Sequence, residues 1–216
     1  MQLPYAKCPL RLVKSNILRS RIFNVAVNAC MAAIWVWFAV RHVAAFKSTG
    51  NVTYLMFCFS ETITAGFFVI RRPPVSVSQS SADWLLAVTG TFTPLFVQPT
   101  PFTAMPYADI VLVVGVILQI LSMLSLNRSF GLVAARREIK TRGMYSIVRH
   151  PLYASYLFIL TGYALSNASP GNLILILITI SCLVGRILRE ERYLVADALY
   201  RQYVQRVRYR LLPPVF

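Results

Sequence analysis

Acidic residues are scarce in this sequence, and charged residues of every kind are few. Aspartate and glutamate together number 7 among 216 residues, and all charged residues make up 13%. Hydrophobic residues make up 57%, and the mean hydropathy is +0.61, which is far more apolar than the surface of a soluble domain allows. The composition therefore excludes an ordinary water-soluble domain and predicts an integral membrane protein.

The sequence shows neither paired cysteines nor the pattern of a cleavable leader. Its 4 cysteines have no paired spacing, and Cys30, Cys58 and Cys182 lie in apolar stretches, where a thiol behaves as a small hydrophobic side chain. We therefore expect no disulfide and no metal site. Residues 1–21 are basic but lack a short apolar core with a cleavage site, so we expect the first apolar segment to stay as a membrane anchor.

Six apolar segments approach the length of about 20 residues that a helix needs to cross a bilayer core of about 30 Å. They are residues 22–40, 52–70, 84–97 and 110–127 and the two halves of 150–185. Backbone polar groups in such a core must pair within their own segment, which favours helices, and SNASPG at 166–171 supplies a turn. We therefore predict an all-α, polytopic helical bundle with six transmembrane helices, or five as the alternative, that includes a C-terminal hairpin.

The positions of the basic residues predict the orientation of this bundle. A formal net charge of +15 is typical of nucleic-acid partners, but these lysines and arginines lie between apolar segments and not along one exposed face. Twenty of the 22 fall in residues 1–21, 71–83, 128–149 and 186–216. Because short basic loops stay cytoplasmic, we expect both termini in the cytoplasm, membrane lipids around the bundle and no nucleic acid. We expect a single membrane domain, with transmembrane helices in 1–127 and the chemistry in 128–216.

The first cluster of chemistry-bearing residues surrounds the start of the predicted hairpin. Pro151 is favoured in the first turn of a helix, so we expect the helix to start near His150 and to present backbone N–H groups that attract an anion. Arg149 and His150 flank this start, and Lys140 precedes it. Gly143 permits the tight turn that would bring these residues together.

Three acidic side chains are candidates for chemistry because a carboxylate within an apolar helix needs a partner. Arg186 and Glu190 are four residues apart, hence neighbours on one helical face, with Glu191 beside them. A structural helix pair is the alternative reading of Arg186 with Glu190. Glu61, in the middle of an apolar segment, is a candidate substrate contact, and the alternative is a carboxyl that is protonated or paired within the bundle.

The C-terminal segment predicts an amphipathic cytoplasmic helix that lies against the membrane or against the loop before His150. Its apolar and aromatic positions at roughly helical spacing are Tyr193, Tyr200, Tyr203, Val204 and Val207. These tyrosines are equally typical of interface anchors. Juxtamembrane arginines are typical of lipid headgroup contacts, which is our expectation for Arg128, Arg136, Arg201, Arg208 and Arg210.

In chain order, these motifs form one long pattern. It consists of Gly143, Tyr145, Arg149-His150-Pro151, Tyr153, Asn167 and Pro170 at the turn, Arg186, Glu190-Glu191, Tyr200, Tyr203, Pro213 and Phe216. The pattern resembles the isoprenylcysteine carboxyl methyltransferase family and its relatives among membrane phospholipid methyltransferases. Residues 1–125 are similar to these proteins only in being a bundle of apolar helices.

The resemblance implies an S-adenosylmethionine site built without a Rossmann fold, and no GxGxxG follows a predicted strand in this chain. The catalytic residues that it implies are Arg186, Glu190 and Glu191, with Arg186 facing the substrate. The cofactor contacts that it implies are Arg137, Glu138, Ile139, Lys140, Tyr145, His150, Pro151, Leu152, Tyr153 and Glu190. The helix start near His150 suits the methionine carboxylate, and Glu190 suits the ribose hydroxyls or the positive charge of the cofactor.

We expect methyl transfer to a carboxylate on a lipidic, isoprenylcysteine-like acceptor that enters from the bilayer, with S-adenosylhomocysteine as the other product. A carboxylate is already nucleophilic, so alignment by Arg186 carries much of the rate without a general base. The first alternative is a phospholipid amine as acceptor, which needs a base. Two others are a sterol-type membrane reductase, whose RHP-Tyr region is similar, and a non-enzymatic transporter or scaffold.

Overall fold

Seven helices account for most of the chain that the structure describes. The structure is a computed structural model and describes residues 21–70, 76–77, 80–98, 100, 105, 107–126, 135–136 and 139–214. The helices are α1 (Arg21–Thr49), α2 (Thr53–Ile70), α3 (Ser81–Phe92), α4 (Ala108–Leu126), α5 (Pro151–Ser166), α6 (Pro170–Leu194) and α7 (Ala198–Arg206). Two 3-10 turns, Thr93–Phe96 and Gly143–Ser146, and one antiparallel ladder between β1 (Ser76–Val77) and β2 (Ala135–Arg136) complete the described elements. The prediction of a helical bundle is confirmed.

Polar contacts at one end of the bundle join the start of α2, the segment after α3 and the α5–α6 turn. The Tyr54 hydroxyl donates to Asn167 Oδ1 at 3.1 Å, and the Thr100 backbone N–H donates to the same oxygen at 3.0 Å. Asn172 accepts from the Gln98 N–H at 3.0 Å and donates to the Gln98 carbonyl at 2.8 Å. Both asparagines are buried, so these bonds fix the hairpin turn that the SNASPG segment predicts.

The opposite end, here called the basic end, is formed by β1, β2, residues 139–150 and residues 195–214. The β1–β2 ladder joins the α2–α3 connection to the segment after α4. The backbone N–H groups of Arg149 and His150 donate to the carbonyls of Tyr209 and Arg210 at 2.9 and 2.8 Å. The described parts of the predicted basic segments 71–83, 128–149 and 186–216 therefore meet at one end of the bundle, while residues 1–20 lie outside the described residues.

Among the described residues, three helices are long and apolar enough to cross a membrane: Ile22–Thr49, Ala108–Leu126 and Pro170–Arg192. The other predicted crossings also fold as helices, but α2, α3 and α5 have only 18, 12 and 16 residues. Helices thus form where all six crossings are predicted. How many of them cross the bilayer, and which side the basic end faces, stay predictions.

Close contact between α4 and α5 depends on two glycines. A Cβ at Gly162 would lie 2.5 Å from the Leu112 backbone nitrogen, and one at Gly115 would lie 2.7 Å from the Ile159 nitrogen. Glycine here lets the two backbones touch, as small residues commonly do in membrane bundles. These contacts hold the C-terminal half of α5 against α4.

Candidate functional site

The hairpin that carries the predicted site starts as expected, with His150 as N-cap and Pro151 in the first turn of α5. Gly143 lies just upstream at a φ of +63°, a left-handed conformation that favours glycine. A Cβ at Gly143 would lie 2.5 Å from Ser125 Oγ, and this oxygen accepts a hydrogen bond from the Met144 N–H at 3.2 Å. The tight turn predicted at Gly143 is therefore present and fastens the loop to the end of α4.

The carboxylate of Glu191 on α6 is surrounded by three cationic or ionisable side chains, which together form the Glu191 cluster. Glu191 Oε1 lies 3.2 Å from Arg149 Nη1 and 3.1 Å from His150 Nε2, and Oε2 accepts from Arg210 Nε at 2.8 Å. Glu191, Arg149 and His150 are only 7%, 8% and 5% exposed. The cluster thus joins the start of α5, the end of α6 and the C-terminal segment in a buried ion network.

Glu190 points to a different set of partners from its neighbour. The Tyr153 hydroxyl donates to Glu190 Oε2 at 3.1 Å. The Arg186 guanidinium lies over the Tyr153 ring, with its central carbon 5.3 Å from the ring centroid, a cation–π distance. Tyr153 therefore brings together the arginine and the glutamate that the helical spacing predicts as neighbours.

These three side chains open into a cleft between α3 and α6, here called the α3–α6 cleft. Its remaining lining residues are Asp83, Leu86, Ala87 and Arg189. Arg189 binds the Asp83 carboxylate and donates to Ser80 Oγ at 2.6 Å. The cleft thus has apolar and charged walls, as expected of a site that orients a polar group on an apolar molecule.

Helix α7 covers the loop before His150 with its aromatic face. Tyr200, Tyr203 and Val207 are buried, and Ile139 packs against them. The Tyr203 hydroxyl donates to the Tyr145 carbonyl at 2.7 Å. Of the two predicted positions for this helix, the structure places it against the loop.

Burial keeps the tyrosines of the basic end neutral. It raises the pKa of Tyr145 well above its usual range, and the nearby Glu190 carboxylate raises it further. Burial likewise raises the pKa of Tyr200 and of Tyr203. Their hydroxyl groups therefore remain hydrogen-bond donors at physiological pH.

Two buried polar atoms at the basic end, Arg149 Nε and Tyr200 Oη, have no hydrogen-bond partner within the described part of the chain. Unsatisfied buried polar groups are costly and uncommon. Both atoms are donors, and Tyr200 is close enough to Glu191 and Arg149 to sense their charges. They offer hydrogen bonds to a polar ligand group.

The structure brings most of the predicted site residues to the basic end or to the adjoining ends of α5 and α6, while their assignment to a cofactor stays a prediction. These residues are Ile139, Lys140, Tyr145, His150, Pro151, Leu152, Tyr153, Arg186, Glu190 and Glu191. Arg137 and Glu138 lie outside the described residues, as does the side chain of Glu61, although its backbone is part of α2. The predicted group has two adjoining parts: His150 contacts Glu191 and Tyr153 contacts Glu190, while the His150 and Tyr153 rings lie 5.6 Å apart, centroid to centroid.

Five residues of the site were missed by sequence reasoning, among them Leu86 and Ala87 of the cleft wall. Arg210, expected to contact lipid headgroups, binds Glu191, and no local pattern signals this contact. Asp83 and Arg189 pair across a long sequence separation. The available signal for Asp83 was the scarcity of acidic residues in this sequence, because an aspartate at the start of an apolar helix needs a partner.

Residues 103–202 match the family model of phospholipid methyltransferases. No curated protein and no solved structure gave a significant match. The matched segment contains α4, α5, α6 and most of α7, including Tyr153, Arg186, Glu190 and Glu191, and it excludes α1–α3. The resemblance to membrane methyltransferases is confirmed for this region, and the match indicates a membrane methyltransferase.

Proposed function

We propose that this protein, whose residues 103–202 are of the phospholipid methyltransferase type, uses S-adenosylmethionine to methylate a lipidic acceptor. One observation carries the proposal. Tyr153, Arg186 and Glu190, all within the matched segment, meet at a cleft whose other wall is the apolar helix α3. Polar side chains that can orient reactants are thus combined with an apolar wall that suits a lipid.

We infer that the cofactor binds at the basic end. We assign its carboxylate to the first turn of α5, whose N-terminus favours anions, and its positive charge or ribose to Glu190. Arg149 Nε and the Tyr200 hydroxyl, which lack partners among the described residues, supply two further donors. S-adenosylmethionine would bring a methyl group that its sulfonium already activates, so the protein needs to hold and align the reactants.

We place the basic end in the cytoplasm, with the chain as a single membrane domain. The support is the concentration of lysine and arginine in segments that meet at this end. A water-soluble cofactor then enters from the cytoplasm, while the acceptor enters from the bilayer.

Our leading acceptor is a carboxylate on a lipidic, isoprenylcysteine-like molecule. Arg186 lies at the cleft, and its planar guanidinium can donate two parallel hydrogen bonds to a carboxylate. The Tyr153 ring beneath it restricts the orientation of that guanidinium. Arg186 would therefore direct one carboxylate oxygen toward the methyl group, and no base is needed.

The second candidate acceptor is the amine of a phospholipid headgroup. It is favoured by the description of the matched family and by Glu190, whose carboxylate lines the same cleft. An amine must lose a proton on methylation, and Glu190 is placed to accept it. The two candidates thus assign the main role to different side chains of one cleft.

Purified protein in lipid nanodiscs, supplied with methyl-labelled S-adenosylmethionine, tests the function and separates the acceptors. We expect label in farnesylated cysteine and not in phosphatidylethanolamine; the opposite result would establish the amine candidate. Binding of a reduced nicotinamide in place of S-adenosylhomocysteine would indicate a reductase instead. Failure to bind any adenosine cofactor would leave only a transporter or scaffold.

A further inference from the structure

Helix α3 turns one stripe of residues toward α6 and the opposite stripe outward. Asp83, Leu86 and Ala87 line the α3–α6 cleft, and Gly90 continues the same face at the helical spacing. On the outward face, Trp84, Leu85 and Val88 are 43%, 67% and 44% exposed. The helix therefore separates a cleft that contains Arg186 and Glu190 from an apolar surface suited to lipid chains.

Close approach between α3 and α6 depends on a glycine on each helix. A Cβ at Gly90 would lie 3.1 Å from Cys182 Cβ and 4.0 Å from Arg186 Nη1. A Cβ at Gly185 would lie 3.2 Å from both terminal carbons of Leu86. Gly90 therefore leaves room beside the Arg186 guanidinium, and Leu86 is held over the cleft.

Charged residues mark the edge of the cleft nearest the basic end. There Arg189 binds Asp83 and Ser80, which fastens the N-terminus of α3 to α6. The cleft lies between these charged residues and the apolar residues Leu86 and Ala87. We expect it to admit the reacting head of a lipid whose chains stay outside the protein.

We infer that α3 forms the acceptor wall of the reaction site, and that Leu86 and Gly90 determine which lipid headgroups reach Arg186 and Glu190. The inference rests on the proposed methyltransferase function. It assigns acceptor selection to a helix that lies outside the matched residues 103–202, while the cofactor contacts lie within them. Leu86 and Gly90 act by shape, as positioning residues, and not by chemistry.

The test compares Leu86→Trp with Leu85→Trp, the same change one residue away on the exposed face. Both variants are assayed in nanodiscs with farnesylated cysteine and with phosphatidylethanolamine, and S-adenosylhomocysteine binding is measured by calorimetry. Filling the cleft at position 86 should raise the acceptor KM about tenfold or more and raise the Kd of S-adenosylhomocysteine much less, because we place most of the cofactor contacts outside this cleft. Leu85→Trp should change neither quantity.

Other outcomes overturn the inference in distinguishable ways. If Leu86→Trp bound the cofactor product and kept a normal acceptor KM, the cleft would not be the acceptor site. If it lost S-adenosylhomocysteine binding while Leu85→Trp kept it, the cleft would belong to the cofactor. A wild-type protein that methylates neither acceptor removes the proposed function itself and the inference with it.

Leu86→Ala keeps the inference testable if tryptophan at position 86 prevents folding. This change enlarges the cleft without adding bulk. The ratio of kcat/KM for a bulkier headgroup to kcat/KM for the preferred headgroup should therefore rise. N-methylated phosphatidylethanolamine and the methyl-branched analogue of farnesylated cysteine serve as the bulkier probes. An unchanged ratio would contradict a selective role for Leu86.

Discussion

Glu190 and Glu191 are adjacent on α6, yet they lie in opposite surroundings. The Glu191 carboxylate is buried among Arg149, His150 and Arg210, whereas Glu190 accepts from Tyr153 at the α3–α6 cleft. One step along a helix turns a side chain by about 100°, which is enough to separate the two. Glu191 therefore belongs to a buried network that joins separate segments, and Glu190 belongs to an open site.

The same division runs through the residues at the start of α5. His150 belongs to the Glu191 cluster, and Tyr153, three residues later, belongs to the cleft. The two rings remain in contact, with 5.6 Å between their centroids, so the buried cluster adjoins the cleft. Variants in the Glu191 cluster and variants in the α3–α6 cleft should separate effects on stability from effects on methylation.

Glu191→Ala should destabilise the protein most, because it leaves buried cationic groups without their carboxylate. Breaking a buried ion network in this way costs about 3–5 kcal/mol of unfolding free energy. Thermal unfolding of the purified protein in one detergent measures the effect, with Glu190→Ala as the matched control. A wild-type midpoint for Glu191→Ala and a large drop for Glu190→Ala would reverse the roles assigned to the two glutamates.

Arg186→Ala should impair methylation and leave the fold intact. Loss of charge-assisted hydrogen bonds worth about 1.5–3 kcal/mol corresponds to a decrease in kcat/KM for the carboxylate acceptor of roughly 10- to 100-fold. Binding of S-adenosylhomocysteine should not change. Arg186→Lys keeps the charge but not the planar fork, so we expect an intermediate rate; normal methylation by Arg186→Ala would disprove the assigned role.

Tyr203→Phe should lower stability modestly, because its hydroxyl donates to the Tyr145 carbonyl. A single hydrogen bond of this kind contributes about 1 kcal/mol. Chemical denaturation in detergent, followed by circular dichroism, checks this expectation. An unchanged midpoint would show that the contact of α7 with the loop does not depend on this bond.

Tyr200→Phe should have the smallest effect on the stability of the ligand-free protein. The Tyr200 hydroxyl has no partner among the described residues, so its removal breaks no hydrogen bond there. If that hydroxyl binds the cofactor, the Kd of S-adenosylhomocysteine should rise while the unfolding midpoint stays the same. A lower midpoint with unchanged binding would assign Tyr200 to the fold alone.

Features that depend on local sequence could be predicted. Pro151 and the SNASPG segment locate the hairpin, and Gly143 locates the tight turn. The spacing of Tyr200, Tyr203 and Val204 locates α7, but Tyr193, predicted on the same helix, belongs to the end of α6. These signals act through backbone geometry over a few residues, so no knowledge of the tertiary structure is required.

Features that depend on distant partners could not be predicted. The ion pairs Arg210–Glu191 and Arg189–Asp83 form only when separate segments of the chain meet. In the sequence, a basic residue near a membrane looks the same whether it binds lipid or protein. The α3–α6 cleft has the same origin, since Leu86 and Gly90 are ordinary residues of an apolar helix until α6 lies against them.

Calorimetric titration of S-adenosylhomocysteine into the wild type and Glu190→Gln tests the central claim most directly. Glutamine keeps the size of the side chain and removes its charge, so folding should be preserved while a cationic or ribose contact is weakened. The account predicts saturable binding to the wild type and clearly weaker binding to Glu190→Gln. No binding to the folded wild-type protein would contradict it.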